Sequence, residues 1–186
     1  GVREYNIDIF ATSEDQAKTS PDEVRDILES NPNFYKKLFY WNKVDINYKK
    51  TNSTIKYLTA NAKTKDGGRP GAVIFDEVHQ YENYDNIKVF ITGQGKVAHH
   101  RRLYVTTNGD VREGPLDEML GRSEQILNGL IPDNGFLPFI CRLDDKQEAH
   151  NKKMWTKANP SLPHLPALFT TIEKEFVEWL GRPSHR

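Results

Sequence analysis

The stretch Gly71-Ala72-Val73-Ile74-Phe75-Asp76-Glu77 decides the fold. An unbroken apolar run that delivers two adjacent acids reads as a strand buried on both faces, the kind found inside parallel α/β sheets. Such sheets bind ligands beyond the carboxyl ends of their strands, and Asp76 and Glu77 stand at that end. Paired carboxylates there suit nucleotide hydrolysis, with Asp76 helping to hold Mg²⁺, directly or through water, and Glu77 orienting or deprotonating the attacking water. The competing reading is an acidic, solvated loop start.

Context favours the first reading. Arg102-Leu103-Tyr104-Val105 is a second short apolar strand, and it runs into Thr106-Thr107-Asn108-Gly109. Hydroxyls and an amide at a strand end beside an acidic strand can hydrogen-bond a phosphate or the water aimed at it. A plain polar turn, with Gly109 supplying an unusual backbone angle, is the alternative.

Composition bounds the class. The chain has 186 residues, enough for one sizeable core, so one domain is the default expectation. Its 26 basic and 26 acidic residues cancel, and whole-chain charge gives no argument for a nucleic-acid or anionic-membrane surface. The single Cys141 excludes an intrachain disulfide, and no Cys/His group has zinc spacing; His99-His100 reads as a solvated turn. No apolar stretch approaches a membrane span and the amino terminus lacks signal-peptide regions, so a cytosolic compartment is expected.

The remaining segments alternate in type. Tyr5 to Phe10 is expected as a short alternating strand, followed by a helix that Ser13 and Gln16 would cap. Ser20-Pro21-Asp22-Glu23 reads as the start of a second helix, with Val24, Ile27 and Leu28 on its apolar face and its end near Asn31-Pro32. The aromatic segment from Asn33 to Trp41 is expected as a helical turn with Phe34, Leu38 and Trp41 packed inward. Val44 to Thr59 alternates about a polar break as a β-hairpin. Asp66-Gly67-Gly68 is turn chemistry ahead of the acidic strand. Tyr84 to Gly95 and Pro115 to Gly129 read as helices. Phe136 to Leu143 is expected as a strand, Lys146 to Lys157 as a polar helix, Pro160 to Pro166 as a surface connection and Thr170 to Leu180 as the last helix.

The order of these residues resembles a known family. Ala11 with Asp15-Gln16-Ala17, Asp66-Gly67 ahead of Pro70, Val73-Ile74-Phe75-Asp76-Glu77-Val78-His79, Thr106-Thr107-Asn108-Gly109, Ile126-Leu127-Asn128-Gly129, and Trp155 with Ala158-Asn159-Pro160-Ser161-Leu162 together look like the ATPase region of the large terminase subunit of tailed bacteriophages. The resemblance implies a motor component that couples ATP hydrolysis to threading viral DNA into a procapsid in the cytoplasm of a bacterial host. It implies Mg²⁺ and ATP as cofactors, with Asp76 as the Mg²⁺-associated acid, Glu77 as the catalytic carboxylate, and Thr106, Thr107 and Asn108 in the nucleotide-binding motif that couples nucleotide state to movement. Double-stranded DNA, a portal protein and a small terminase subunit are the implied partners, and a homo-oligomer is left open.

One departure matters for activity. The chain has no G-x-x-x-x-G-K-[ST] loop, and Gly93-Gln94-Gly95-Lys96-Val97 has neither its spacing nor its hydroxyl. The expected fold is therefore α/β, a partial P-loop NTPase-like (ASCE) sheet, mainly parallel and flanked by helices, lacking the phosphate-loop strand and helix. Residues 1–165 would form the partial ATPase domain, and 166–186 a helix leading toward an absent nuclease domain. The resemblance places the lost strand beside the acidic strand, leaving an apolar edge to be covered by rearrangement, by a second chain or by a shifted element. The isolated chain is expected to bind ATP weakly and to turn it over negligibly. Asp76-Glu77-Val78-His79 also resembles the acidic box of helicases, and a non-catalytic interaction module is the third alternative.

Overall fold

A computed structural model gives the fold and describes residues 2–12, 14–59 and 69–181, with the side chains of 14–20 and 86 outside the description. The chain divides into two compact units, Gly1–Asn128 and Gly129–Arg186.

The first unit is built on six strands: β1 (Ile7–Ala11), β2 (Phe39–Trp41), β3 (Asp45–Tyr48), β4 (Ser53–Thr59), β5 (Ala72–Asp76) and β6 (Arg101–Val105), in the spatial order β2-β3-β4-β1-β5-β6. β4, β1, β5 and β6 run parallel, while β2-β3-β4 is an antiparallel meander at one side. The acidic strand thus has a neighbour on each side, β1 and β6. The expectation that a missing strand leaves an apolar edge beside it is corrected: β6 occupies that side, and the open parallel edge is β6 itself, where Leu103 and Val105 are 47% and 50% exposed.

Register builds the core. Phe10, Phe75 and Tyr104 pair in one row and point to one face of the sheet, where Phe90 of helix α3 (Asp85–Gln94) meets Phe10 at 4.9 Å between ring centroids and Phe75 at 5.9 Å. Tyr104 stacks on Phe75 at 5.1 Å. Val73, Val78, Ile87 and Leu116, the last on helix α4 (Pro115–Leu127), complete this layer. Ile9 and Ala11 alternate onto the opposite face and are buried as well, as a central parallel strand requires. Asp8 departs from the half-exposed strand expected here: it is 3% exposed, with Lys56 Nζ 3.9 Å from its Oδ1. Burial pushes its carboxyl upward, partly opposed by the Lys56 charge.

Two helices were expected before Asn31; one forms. Helix α1 (Glu14–Ser30) runs through Pro21 and packs along β1, β3 and β4. Proline removes one helical N–H, a local cost offset here because Pro21 and Leu28 are buried while Ile27 faces solvent. Arg25 ties the helix down by donating from Nε to the carbonyl of Asn42 at 3.0 Å and from Nη2 to that of Lys43 at 3.2 Å. Ser13, the side chains of Gln16 and Ser20, and the Asp66-Gly67-Gly68 turn lie outside the description, while the backbone of Ser20 is inside α1.

The aromatic segment is not an inward helical turn. A four-residue helix α2 (Pro32–Tyr35) ends where Phe39–Trp41 pairs with β3, because aromatic side chains gain more from cross-strand neighbours; Phe39 meets Tyr48 at 5.1 Å, whereas Phe34 and Leu38 are exposed. The hairpin of β3 and β4 forms as expected, with Asn52 at φ 55° in its turn.

In the second unit the expected strand from Phe136 to Leu143 is a segment without strand pairing; Pro138 offers no N–H, and Leu137 and Phe139 are 92% and 88% exposed. The expected polar helix breaks into 3₁₀ turns at Lys146–His150 and Lys152–Met154 and a short α5 (Trp155–Ala158). Side chains cause the breaks: Asp145 accepts from Gln147 N at 2.6 Å and Asn151 from Lys153 N at 3.2 Å, each restarting the chain. The prolines of the following connection are exposed as expected, yet Leu162 between them is buried. Helix α6 (Pro166–Gly181) closes the unit by packing Phe169 and Phe176 on Trp155. No helix among the described residues is long and apolar enough to cross a membrane.

Candidate functional site

Register also sets the site. Two residues beyond Phe10, Phe75 and Tyr104 come Thr12, Glu77 and Thr106, so all three leave the carboxyl end of the sheet at one level. Asp76 is the last residue of β5, half-buried, and its Oδ1 accepts from the Glu77 N–H at 3.0 Å. The Tyr81 hydroxyl lies behind it, within 3.2 Å of the Phe10 carbonyl and 3.1 Å of the Asp76 carbonyl. Burial, and secondarily the Asp76 charge, holds the Tyr81 phenol far above its usual range, so it remains a donor to the ends of β1 and β5.

Glu77 has φ 50° and ψ 51°, the left-handed region that a non-glycine residue enters only when its surroundings impose it. A 3₁₀ turn over Val78–Gln80 follows at once, with Val78 buried as its anchor and Gln80 hydrogen-bonded to the Thr12 hydroxyl after β1. The bend holds Glu77 Oε2 in a buried position without a hydrogen-bond partner. His79 Nδ1 lies 3.0 Å from that oxygen, an ion-pair distance without hydrogen-bond alignment.

The sequence-predicted residues divide into two groups. The structure brings Asp76, Glu77 and Thr106 together through the turn: Thr106 Oγ1 accepts from the His79 backbone N–H at 3.0 Å and lies 3.1 Å from His79 Nδ1. Thr106 donates its own proton to the Thr107 carbonyl at 2.7 Å. Thr107 and Asn108 are exposed at the rim. Arg101 and Arg102, at the start of β6, lie at the other end of the sheet from the acids.

Sequence reasoning gave no role to the His79 side chain and did not foresee its contact with Gly109, whose Cβ would fall 2.4 Å from the His79 ring. Nothing local in the sequence marks this contact, because it depends on β5 and β6 pairing in register. Among the described residues no three His, Cys, Asp or Glu side chains gather as a metal cage. An apolar hollow lined by Tyr5, Ile7, Phe39, Ile46 and Ile55 lies among β1 to β4 and holds none of the acids.

Known proteins are similar to this chain. The terminase large subunits of Lactococcus phages p2 and SK1 are each 26% identical over 173 residues, covering 89% of this chain and 31% of their own length. Protein YmfN of Escherichia coli strain K12 is 26% identical over 107 residues, 57% of this chain and 24% of its own. The crystal structure of the HK97 bacteriophage large terminase matches with a TM-score of 0.74 at 20% identity, over 99% of this chain and 38% of that one, a likeness of fold. The chain spans about a third of the length of the phage terminases it matches. The family model described as "Terminase large subunit, ATPase domain" matches residues 3–125, which run from β1 into α4 and include both acids and the loop after β6; the chain belongs to that family.

Proposed function

We propose that this chain is part of the ATPase of a phage DNA-packaging motor, in which ATP hydrolysis drives viral DNA into a procapsid. The supporting observation is Glu77: a carboxylate at the end of a central parallel strand, held in a left-handed bend, with one buried oxygen that has no hydrogen-bond partner. A carboxylate fixed at that strand end suits a general base that orients a water molecule and takes its proton. Glu77 is the catalytic carboxylate in this reading. Asp76 holds Mg²⁺, directly or through water; a single half-buried carboxylate fits a cation that keeps waters and phosphate oxygens among its ligands. Bound Mg²⁺ would neutralise charge developing on the transferred phosphoryl group. Thr106, Thr107 and Asn108 sense the nucleotide and pass its state to movement.

Residues 1–165 are read as a partial ATPase domain, and the helix in 166–186 as leading toward a nuclease domain of a longer protein. The cradle for ATP phosphates then belongs to a further strand and helix, since the sequence holds no G-x-x-x-x-G-K-[ST] loop. The open edge of β6 supports this reading, because a strand added there lies next to Thr106. Double-stranded DNA, a portal protein, a small terminase subunit and further copies of the motor subunit are the proposed partners, in the cytoplasm of a bacterial host.

Thermal unfolding with Mg²⁺ and ATP tests the assignment on this chain and on the longer natural protein. The longer protein gains about 2.7 kcal/mol at a ligand concentration one hundred times its dissociation constant, while this chain shifts little. Equal stabilisation of both would place the phosphate site elsewhere. Glu77→Gln in the longer protein lowers kcat about 10²–10⁴-fold.

A further inference from the structure

Charge in the first unit is divided between the two ends of the sheet. Pairing of Phe39 with Tyr48, of Tyr48 with Ser53, of Ile7 with Ile55 and Ala72, and of Ala72 with Arg101 brings the starts of β2, β4, β1, β5 and β6 to one end. The segments at that end are basic. Lys36 and Lys37 precede β2, Lys49 and Lys50 lie in the turn between β3 and β4, Arg69 precedes β5 and Arg101 opens β6; all six are exposed. None of the six is ion-paired with a carboxylate among the described residues, whereas Arg25, Arg112, Lys152 and Lys157 are. Lys49 donates to the Lys36 carbonyl, and Arg101 to the carbonyls of His99 and His100 at 3.2 and 3.0 Å, which orients these cations without neutralising them. From Ile46 to Thr59 and from Asn86 to Gly109 the sequence has no acid, and Arg3 and Glu4 before β1 offset each other. The opposite end carries Asp76 and Glu77, with Glu82 and Asp85 after β5 and Asp110 and Glu113 after β6. In a chain whose charges cancel, this separation makes one end of the sheet attractive to anions and the other repellent.

We propose that this basic stripe is the surface on which the first unit holds the phosphate backbone of double-stranded DNA, at the far end of the sheet from the acids. Neighbouring strands stand about 4.8 Å apart, so the stripe runs about 24 Å from β2 to β6. Cations spread over that length cannot close around one small anion. They match a stiff polyanion laid across the strand ends, and duplex DNA presents about one phosphate charge per 1.7 Å of its axis. Lysines that guard a sheet against aggregation line its edge strands, but Lys49, Lys50 and Arg69 stand at the ends of interior strands and guard no edge. Contacts of this kind go to phosphates and carry no base preference. The choice of DNA as the polyanion rests on the packaging reading; the place of the surface does not depend on Glu77.

Fluorescence anisotropy of this chain with a labelled, mixed-sequence duplex of about 24 base pairs, titrated between about 50 and 200 mM KCl, tests the proposal. Binding weakens as salt rises. Lys49→Gln/Lys50→Gln lowers the slope of log K against log salt by about 1.8 and the affinity at about 100 mM at least tenfold, and Lys36→Gln/Lys37→Gln and Arg69→Gln act in the same direction. Lys174→Gln, at an exposed lysine of α6, leaves slope and affinity unchanged. Each variant keeps its stability within about 0.5 kcal/mol in urea, which separates lost binding from lost folding. Absence of salt-dependent binding, or a slope indifferent to both lysine pairs, overturns the proposal. Equal binding of polyglutamate at matched charge overturns it in favour of an acidic polypeptide. In the longer natural protein, ATP turnover that ignores added duplex counts against the packaging reading beneath the proposal and leaves the anisotropy to judge the surface.

Discussion

Gln94 Oε1 accepts a hydrogen bond from Arg102 Nε at 2.8 Å, inside the first unit, where Gln94 is fully buried. The same amide donates from Nε2 to the Arg101 carbonyl at 3.0 Å, so the last turn of α3 is fastened to the start of β6 by both ends of one side chain. This engages Arg102 structurally, away from the acids. Gln94→Leu removes both bonds, and urea unfolding should show a loss of about 1–3 kcal/mol.

Gly109→Ala forces a methyl group against the His79 ring. Overpacking of this kind costs about 1–3 kcal/mol, read from the denaturation midpoint. Combining it with His79→Ala should recover at least about 0.5 kcal/mol of the summed losses, since the two residues share one contact.

Asp8 makes stability depend on acid. Burial raises its carboxyl above the ordinary 3.8, with Lys56 pulling the other way. The folded chain then keeps a proton at pH values where the unfolded chain has lost it, so this contribution is complete below 3.8 and disappears as pH rises through the folded value. Asp8→Asn should unfold at a higher temperature than the parent sequence at neutral pH, with the gap closing as pH falls toward 3.8.

Trp155 holds the second unit. Its ring lies 5.6 Å from Phe169 and 5.5 Å from Phe176, and its Nε1 donates to the Ala149 carbonyl at 2.7 Å. Trp155→Ala should cost about 3–5 kcal/mol, comparable to all that a small unit possesses. Hydrogen exchange should then accelerate in α6 and leave β1, β5 and β6 protected.

Leu137 and Phe139 are almost wholly exposed on a segment without strand pairing. Replacing both with serine should reduce self-association in sedimentation velocity and leave the unfolding midpoint nearly unchanged, because neither side chain is buried.

The parallel core was legible because a strand covered on both faces must be apolar throughout, and Ala72 to Phe75 satisfy that rule without reference to distant residues. The hairpin and helices α3 and α4 were legible from local periodicity. Phe136 to Leu143 misled for the converse reason: an apolar run can be read locally, but a strand needs a partner. The run from Lys146 to Lys157 broke because Asp145 and Asn151 compete for backbone N–H groups, which composition alone does not rank. At the site, the acids and Thr106 could be picked out by residue type. The left-handed backbone of Glu77, the bond from His79 to Thr106 and the need for glycine at Gly109 arise only when β5 and β6 lie side by side.

The central place of β1 has a consequence during synthesis. Its partners β4 and β5 come much later in the sequence, so this apolar strand leaves the ribosome with neither flank available. Closing such distant pairings is slow, and until Asp76 has emerged the nascent segment offers two bare edges to chaperones and to neighbouring polysomal chains.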